Sequence, residues 1–258
     1  MFRLSMFSFR EEFQIGGTPG DILVADFFRE ACDLIEAIVF DFDGLIIDTE
    51  TPEFDSWKEI FESHGVKLER RTWEYSIGRY SRDFDIYGHL AELSGQAIDR
   101  EVVRPLMRRR YLERIESNPV LPGVEDYLHS AKDMGMKLAV ASSSSPGWAA
   151  GHLKGRGLLR FFEFVLDAGD VKNAKPDPEL YTMAVGRLGV QPRKALAIED
   201  SANGLTAAKA AGLHCAVVPN PMTKGMDFGA ADVRLESLLD VSLGELLQRL
   251  ECEAVPTA

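Results

Sequence analysis

Cysteine is scarce in this chain of 258 residues: Cys32, Cys215 and Cys252 stand far apart, and no pair has CxxC spacing. Isolated cysteines in odd number exclude a disulfide framework and favour a reducing compartment, so we predict a cytoplasmic protein. Long hydrophobic runs are also lacking. No apolar stretch approaches the ~18 residues of a membrane helix. The apolar start of the chain meets Glu11 and Glu12 before the core of a signal peptide can form.

Basic residues are in deficit. Lys and Arg number 29 against 41 Asp and Glu, which leaves a formal net charge of −12 at pH 7. A chain with a net negative charge is repelled by nucleic-acid backbones and anionic lipids, so we predict no nucleic-acid and no membrane partner. A small phosphorylated ligand stays compatible, because a metal ion and a few lysines can reverse the sign locally. The oligomeric state is open, with a monomer as the expected form.

Short apolar runs alternate with helical patterns from Glu36 onward. The runs occur at residues 37–44, 137–142, 161–169, 194–200 and 214–220. The helical patterns at 123–135, 178–189 and 202–212 each close on a glycine suited to a left-handed C-cap. This alternation predicts an α/β fold with a doubly wound, parallel, Rossmann-like sheet, in which ligands bind at the carboxyl ends of the strands.

Two segments depart from the alternation. Residues 51–118 contain several helical patterns and almost no strand, with Pro52 and Pro119 as expected hinges. We predict an inserted α-helical cap that overhangs the end of the first strand. Residues 1–35 are predicted to form a loosely attached N-terminal extension. The α/β core then comprises residues 36–50 and 119–258.

Asp41 and Asp43 end the first apolar run, in the sequence D-F-D-G. Carboxylates at i and i+2 of a strand end can face one cleft, while Gly44 lets the backbone turn sharply. Two carboxylates in different environments can divide the work of a nucleophile and of a general acid and base. A calcium loop is the alternative, but apolar residues follow the motif where further ligands would be needed.

Two more predicted strands end in polar groups, and a loop adds a lysine. Ser142 opens a run of four serines whose hydroxyls and backbone N–H groups suit a phosphate, although a plain polar loop has the same composition. Lys175 lies in the stiff loop N-A-K-P-D-P, where an ammonium can neutralise a phosphoryl oxygen. Glu199 and Asp200 end the 194–200 run, and they offer either oxygen ligands for Mg²⁺ or a helix cap.

The order D-x-D-G, S, K-P and E-D along alternating strands resembles the haloacid dehalogenase-like hydrolase superfamily. The resemblance runs from about Glu36 to Leu250 and covers all four signature motifs of that superfamily. The helical stretch after the first motif resembles members with a small α-helical cap. β-Phosphoglucomutase-like and phosphoglycolate phosphatase-like enzymes are the most similar groups.

The resemblance implies a role for each motif residue. Asp41 would be the nucleophile that forms an aspartyl-phosphate, and Asp43 the general acid and base. Ser142, with Ser143 beside it, and Lys175 would bind the phosphoryl oxygens. Mg²⁺ would be bound by four groups: Asp41, the backbone carbonyl of Asp43, Asp200, and Glu199 either directly or through water.

The second aspartate favours phosphoryl transfer, because the dehalogenases of the superfamily need no proton donor at Asp43. The resemblance implies a histidine in the first cap helix of a mutase, and Glu53 stands there instead. We therefore expect an Mg²⁺-dependent phosphatase of a small phosphorylated metabolite, either a sugar phosphate or phosphoglycolate. A phosphomutase and a non-catalytic binding protein remain as alternatives. Arg79 and Arg82 are the candidates for substrate specificity, and one arginine of the run 108–110 is a further anion-binding candidate.

Overall fold

The computed structural model describes residues 34–74 and 84–253. Residues 1–33 of the predicted N-terminal extension therefore lie outside the described residues, as do Arg79 and Arg82. The last residue of that predicted extension, Ile35, is buried in the core and so belongs to the core instead.

One parallel sheet organises the described chain. Its six strands are β1 (Ala37–Phe40), β2 (Lys137–Ala141), β3 (Phe164–Leu166), β4 (Ala195–Glu199), β5 (His214–Val217) and β6 (Val233–Arg234). They lie in the order β3-β2-β1-β4-β5-β6, and every neighbouring pair is parallel. The predicted α/β fold with a doubly wound parallel sheet is confirmed.

Helices connect these strands and cover both faces of the sheet. In chain order the described helices are α1 (Glu50–Ser63), α2 (Arg70–Glu74), α3 (Ile86–Ser94), α4 (Arg100–Glu116), α5 (Val124–Asp133), α6 (Trp148–Gly155), α7 (Glu179–Leu188), α8 (Ala202–Ala210) and α9 (Leu243–Glu253). The glycines predicted to close α5, α7 and α8 all have positive φ. None of the described helices is both long and apolar enough to cross a membrane.

The central strand β1 is buried on both faces. Ile38 and Phe40 pack into one hydrophobic cluster, and Ala37 and Val39 pack into another on the opposite side of the sheet. Burial of a large apolar side chain contributes about 1.5–3 kcal/mol. The apolar run of β1 is therefore continuous, as expected for a central parallel strand.

Helices α1–α4, which we call the helical insert (residues 50–116), enclose a third hydrophobic cluster of their own. Phe54, Trp57, Ile60 and Leu90 are buried there, together with Met222 from the segment after β5. Pro52 lies in the first turn of α1, where proline is tolerated because the first N–H groups of a helix have no partner within it. Its expected role as a hinge stays a prediction.

The strand predicted at 161–169 is shorter than expected. A 3-10 turn occupies Leu159–Phe161, and only Phe164–Leu166 pairs with β2. Phe161 and Phe162 are buried among the residues of the first cluster, so their hydrophobicity reflects core packing.

Candidate active site

Asp41 and Asp43 lie at the carboxyl end of the central strand. The backbone N–H of Asp41 donates to the carbonyl of Ile198 at 2.9 Å, which extends the pairing with β4 by one residue. The chain then turns at Gly44, which has φ +77° and donates its N–H to Ile47. Both carboxylates line one cavity. The structure thus brings the two aspartates together as expected.

Lys175 connects the ends of β1 and β4. Its ammonium donates to Oδ1 of Asp41 at 2.5 Å and to Oε1 of Glu199 at 2.6 Å. The hydroxyl of Tyr181 donates to the same oxygen of Glu199 at 2.6 Å. Lys175, Glu199 and Asp41 are all buried. Burial alone would lower the pKa of Lys175, but the two carboxylates outweigh it and raise the pKa. The ammonium is therefore a fixed positive charge.

Three buried carboxylates converge beside this ammonium. Oxygen atoms of Asp41, Glu199 and Asp200 all lie within 4.8 Å of one another. Burial, reinforced by Glu199 and Asp43, raises the pKa of Asp41 to about 8, although Lys175 opposes the shift. Burial, with Asp41 and Glu199 nearby, also raises the pKa of Asp200. One ammonium does not balance three carboxylates, and this hard oxygen set fits a divalent cation.

Asn220 and Gly44 hold Asp200 in place. The amide of Asn220 donates to Oδ2 of Asp200 at 2.6 Å and to the carbonyl of Gly44 at 3.2 Å. A Cβ on Gly44 would lie 2.4 Å from that same Oδ2. Glycine is therefore needed here for close packing as well as for its backbone angle.

The serine loop after β2 contacts Asp43. Hydroxyls of Ser142 and Ser144 donate to Oδ2 of Asp43, the former at 3.1 Å. The indole N–H of Trp148 donates to the other oxygen, Oδ1, at 2.9 Å. The hydroxyl of Ser143 lines the cavity and has no hydrogen-bond partner among the described residues. The loop therefore presents several hydroxyls where a phosphoryl group could bind.

The helical insert completes a cavity of about 730 Å³. Glu50 and Glu53 of α1 line it together with Thr49, whose buried hydroxyl has no described partner. Burial, with Asp43 close by and Arg108 opposing, raises the pKa of Glu53 to about 7. Burial and the neighbouring Glu53 and Asp43 raise the pKa of Glu50. This end of the cavity is thus acidic, whereas Trp57 and Met107 make part of its wall apolar.

Comparison with known proteins identifies the family. The model of the haloacid dehalogenase-like hydrolases matches residues 35–212, which include all four motifs. The chain belongs to the haloacid dehalogenase-like hydrolase family. The predicted family and the expected class of hydrolase are confirmed.

Relatives in this hydrolase family match nearly the whole described chain. Protein YhcW of Bacillus subtilis is 46% identical over 220 residues, covering 85% of this chain and all of the relative. Hexitol phosphatase B of Escherichia coli is 33% identical over 217 residues, covering 83% of this chain and 97% of the relative. The crystal structure of CbbY from Rhodobacter sphaeroides in complex with phosphate has a TM-score of 0.67 at 28% identity, covering 83% of this chain and 99% of CbbY.

Sequence reasoning on this hydrolase missed several groups of the site. Trp148, Tyr181, Asn220 and Glu50 were not predicted to contribute. Of these, Asn220 carried a usable signal, because it follows β5 just as the motif residues follow their strands. Of the 108–110 run, Arg108 lies near the cavity: its guanidinium is 4.9 Å from the centre of the Trp148 ring, and its charge opposes the raised pKa of Glu53. Arg110 pairs with Glu59 at 3.3 Å.

Proposed function

We propose that this protein is an Mg²⁺-dependent phosphatase that hydrolyses the phosphate monoester of a sugar or polyol through an aspartyl-phosphate on Asp41. The observation that carries the proposal is the convergence of Asp41, Asp43, Ser142 and Lys175 at one edge of the sheet, beside a buried carboxylate cluster. Family membership and the phosphatases among the relatives support the same reaction.

In the first step a carboxylate oxygen of Asp41 attacks phosphorus. The bond between phosphorus and the ester oxygen breaks, and the carboxyl group of Asp43 gives its proton to the leaving alkoxide. Proton donation matters because an aliphatic alkoxide is a poor leaving group. Lys175, already 2.5 Å from Asp41, orients the nucleophile and offsets the repulsion between a carboxylate and a phosphate dianion.

In the second step water attacks the phosphorus of the aspartyl-phosphate. Asp43, now ionised, takes a proton from this water, and the bond between phosphorus and Asp41 breaks to release inorganic phosphate. The carboxylate of Asp41 is regenerated and Asp43 is again protonated. A single acid–base residue therefore serves both displacements.

Hydroxyls and one ammonium would hold the phosphoryl oxygens. Ser142 and Ser143 follow β2 directly, and serine hydroxyls rotate to suit a new partner. Ser143 has no described partner to give up. Lys175 contributes charge, and its two carboxylate contacts keep the ammonium at the end of β1.

Four groups would hold Mg²⁺: Asp41, Asp200, the backbone carbonyl of Asp43 and, through water, Glu199. The indirect role of Glu199 follows from its partners. Its Oε1 already accepts from Lys175 and Tyr181, and its Oε2 accepts from the N–H of Asp200 at 3.2 Å. When bound, the ion would neutralise negative charge on the phosphoryl group and on the carboxylates around it.

The helical insert would act as the cap that selects the leaving group, with the boundaries 51–118 expected from the sequence. Its own hydrophobic cluster supports this role. Glu50, Glu53 and the free hydroxyl of Thr49 suit the hydroxyl groups of a sugar or polyol. They disfavour phosphoglycolate, because among the described residues no basic side chain lines this end of the cavity to pair with its carboxylate. The cavity volume of about 730 Å³ is sufficient for a hexose phosphate.

The test is release of inorganic phosphate from sorbitol 6-phosphate, glucose 6-phosphate and phosphoglycolate, each with Mg²⁺ and with EDTA. We expect metal-dependent release from the two polyhydroxylated esters and little from phosphoglycolate. Asp41→Asn should lower the rate at least ~1,000-fold, because no nucleophile remains. The matched control Asp227→Asn, in an exposed loop, should keep the wild-type rate. More than a tenth of wild-type activity in Asp41→Asn would remove Asp41 from the nucleophile role.

A phosphomutase is the second candidate. Glu53 occupies the place where the mutase pattern carries histidine, and this favours the phosphatase. The two reactions separate in an assay of β-glucose 1-phosphate with and without a bisphosphorylated hexose. A requirement for the bisphosphate together with isomerisation would establish the mutase.

We also propose that the protein is cytoplasmic and monomeric. The buried thiol of Cys215, which forms no disulfide, supports a reducing compartment.

A further inference from the structure

The indole of Trp148 links the helical insert to Asp43. Trp148 is the first residue of α6, immediately after the serine loop. Its Nε1–H donates to Oδ1 of Asp43 at 2.9 Å. This contact lies outside the four motifs, and the reaction scheme above gives it no role.

Aromatic and cationic groups of α4 fix the face of the same ring. The ring of Tyr111 stacks on it with centres 5.7 Å apart and an angle of 13° between the planes. The guanidinium of Arg108 lies 4.9 Å from its centre, within the range of a cation–π contact. The ring of His152, one turn further along α6, packs edge-on against it with centres 4.2 Å apart. The orientation of the indole therefore depends on the position of α4.

The two oxygens of Asp43 are held by donors of different kinds. Oδ2 accepts from the hydroxyls of Ser142 and Ser144. These hydroxyls rotate freely and can turn to a phosphoryl oxygen when substrate binds. Oδ1 accepts from an indole N–H, which is only a donor and whose direction is set by ring packing. Departure of the serine hydroxyls would leave Oδ2 free while Oδ1 stays held.

We propose that Trp148 is a positioning residue for Asp43. It holds Oδ1, so that Oδ2 is the oxygen that exchanges the proton with the leaving group, and Tyr111 and Arg108 keep the indole in place. The inference rests on the proposed function, in which Asp43 is the general acid and base. The orientation of the Asp43 carboxylate then depends on contact between the helical insert and α6.

The variant Trp148→Phe tests the hydrogen bond, because phenylalanine retains an aromatic ring for Tyr111 but has no N–H. We expect kcat/KM for sorbitol 6-phosphate or glucose 6-phosphate, whichever the wild type hydrolyses faster, to fall about tenfold, the usual scale for losing a donor to a carboxylate that becomes charged in the transition state. With p-nitrophenyl phosphate kcat/KM should fall less than about twofold, since nitrophenolate leaves without a proton. The comparison uses kcat/KM because it reports the first displacement, whereas the second, which also uses Asp43, is common to both esters.

Three further variants separate positioning from packing. Tyr127→Phe likewise removes a buried aromatic donor, the hydroxyl that donates to the carbonyl of Val241 at 3.0 Å, but outside the cavity lining, and it should keep the wild-type ratio of the two kcat/KM values. Tyr111→Phe retains the stacked ring and should also keep this ratio. Tyr111→Leu removes the ring and should show the selective loss. A wild-type ratio in Tyr111→Leu would overturn the part assigned to the insert.

Asp43→Asn, measured in parallel, distinguishes failure of this inference from failure of the proposed function. If Asp43→Asn lowers kcat/KM for both esters equally, the general-acid role itself is wrong. If Asp43→Asn is selective and Trp148→Phe slows both esters equally or neither, Trp148 is a packing residue and only this inference fails. The p-nitrophenyl phosphate rate serves in every variant as the internal measure of a folded site.

Discussion

Gly204 and Glu199 lie so close that no side chain fits between them. A Cβ built on Gly204 would come within 1.9 Å of the carboxyl carbon of Glu199. The glycine sits in the first turn of α8, and its N–H donates to Ser201 at 3.1 Å. The start of this helix therefore presses its backbone against the carboxylate that holds Lys175.

Replacing Gly204 with alanine tests this contact. In an ordinary helix the change stabilises by about 1 kcal/mol. Here we expect the opposite sign, with a loss of several kcal/mol in the free energy of unfolding and a large loss of activity, because Glu199 must move away from Lys175. Gly186→Ala is the matched control, since nothing lies within 4 Å of its Cβ in α7, and it should stabilise. Urea denaturation of both variants gives the comparison. A Gly204→Ala protein as stable as wild type would contradict the geometry.

Asp43→Asn should be selective for the leaving group. Asparagine retains the contact with Trp148 in shape but cannot donate and recover a proton. We expect kcat/KM for a sugar phosphate, which reports the first displacement, to fall by at least ~100-fold, the usual contribution of general acid–base catalysis, with a much smaller decrease in kcat/KM for p-nitrophenyl phosphate. Steady-state kinetics on the two esters measure the difference. Equal losses would contradict the assignment of Asp43 as the acid.

The metal-free protein should lose stability as the pH rises from 6 to 8. The pKa of Asp41 is raised from 3.8 to about 8, mainly by burial, so the folded chain retains a proton that the unfolded chain releases. Stability then falls with increasing pH up to about 8 and levels off above it. Melting temperatures at pH 6, 7 and 8 in EDTA measure the slope. Excess Mg²⁺ should flatten it, because a bound cation stabilises the ionised carboxylates.

Asp41→Asn is the control for this pH dependence. Asparagine does not titrate, so its melting temperature in EDTA should depend less on pH than that of the wild type. A wild-type melting temperature that rises between pH 6 and 8 in EDTA would contradict the raised pKa.

Removal of residues 1–33 should leave phosphatase activity within about twofold of the full chain. The match to the family begins at residue 35, and Ile35 is the first residue of the buried core. Truncation before Leu34 spares that core, and surface changes away from buried groups usually cost little. Activity and melting temperature of the truncated protein check this, and an insoluble product would count against the predicted independence of the extension.

The fold was predictable because both faces of the sheet are covered. Because both faces are covered, a strand such as β1 consists of an unbroken run of apolar residues in the sequence. The polar residue that follows the run lies at the edge of the sheet where ligands bind. β6 was missed, since two residues at Val233–Arg234 produce no pattern. Part of the helical stretch predicted at 51–118 falls on residues 75–83, which the structure does not describe.

The motif residues were predictable for the same reason, whereas their partners were not. The side chains of Tyr181 and Trp148 reach the site from neighbouring helices. Nothing in the sequence distinguishes either residue from an ordinary helix residue. Their roles depend on distances of 2.6 Å to Glu199 and 2.9 Å to Asp43. Such contacts arise from tertiary packing, which the periodicity of a single segment does not encode.

The separation of Asp41 and Lys175 along the chain has a consequence for synthesis on the ribosome. The two residues meet in the folded protein but are 134 positions apart, and β4, which pairs with β1, comes later still. At about 5–20 residues per second, β1 waits on the order of ten seconds for that neighbour. Meanwhile its edges are exposed to incorrect pairing, both of them until β2 emerges and one of them after that. The helical insert has a hydrophobic cluster formed mostly from its own residues and emerges during this interval. If the insert folds early, the apolar residues of the chain that follows β1 would already be buried among themselves while the strand is still exposed.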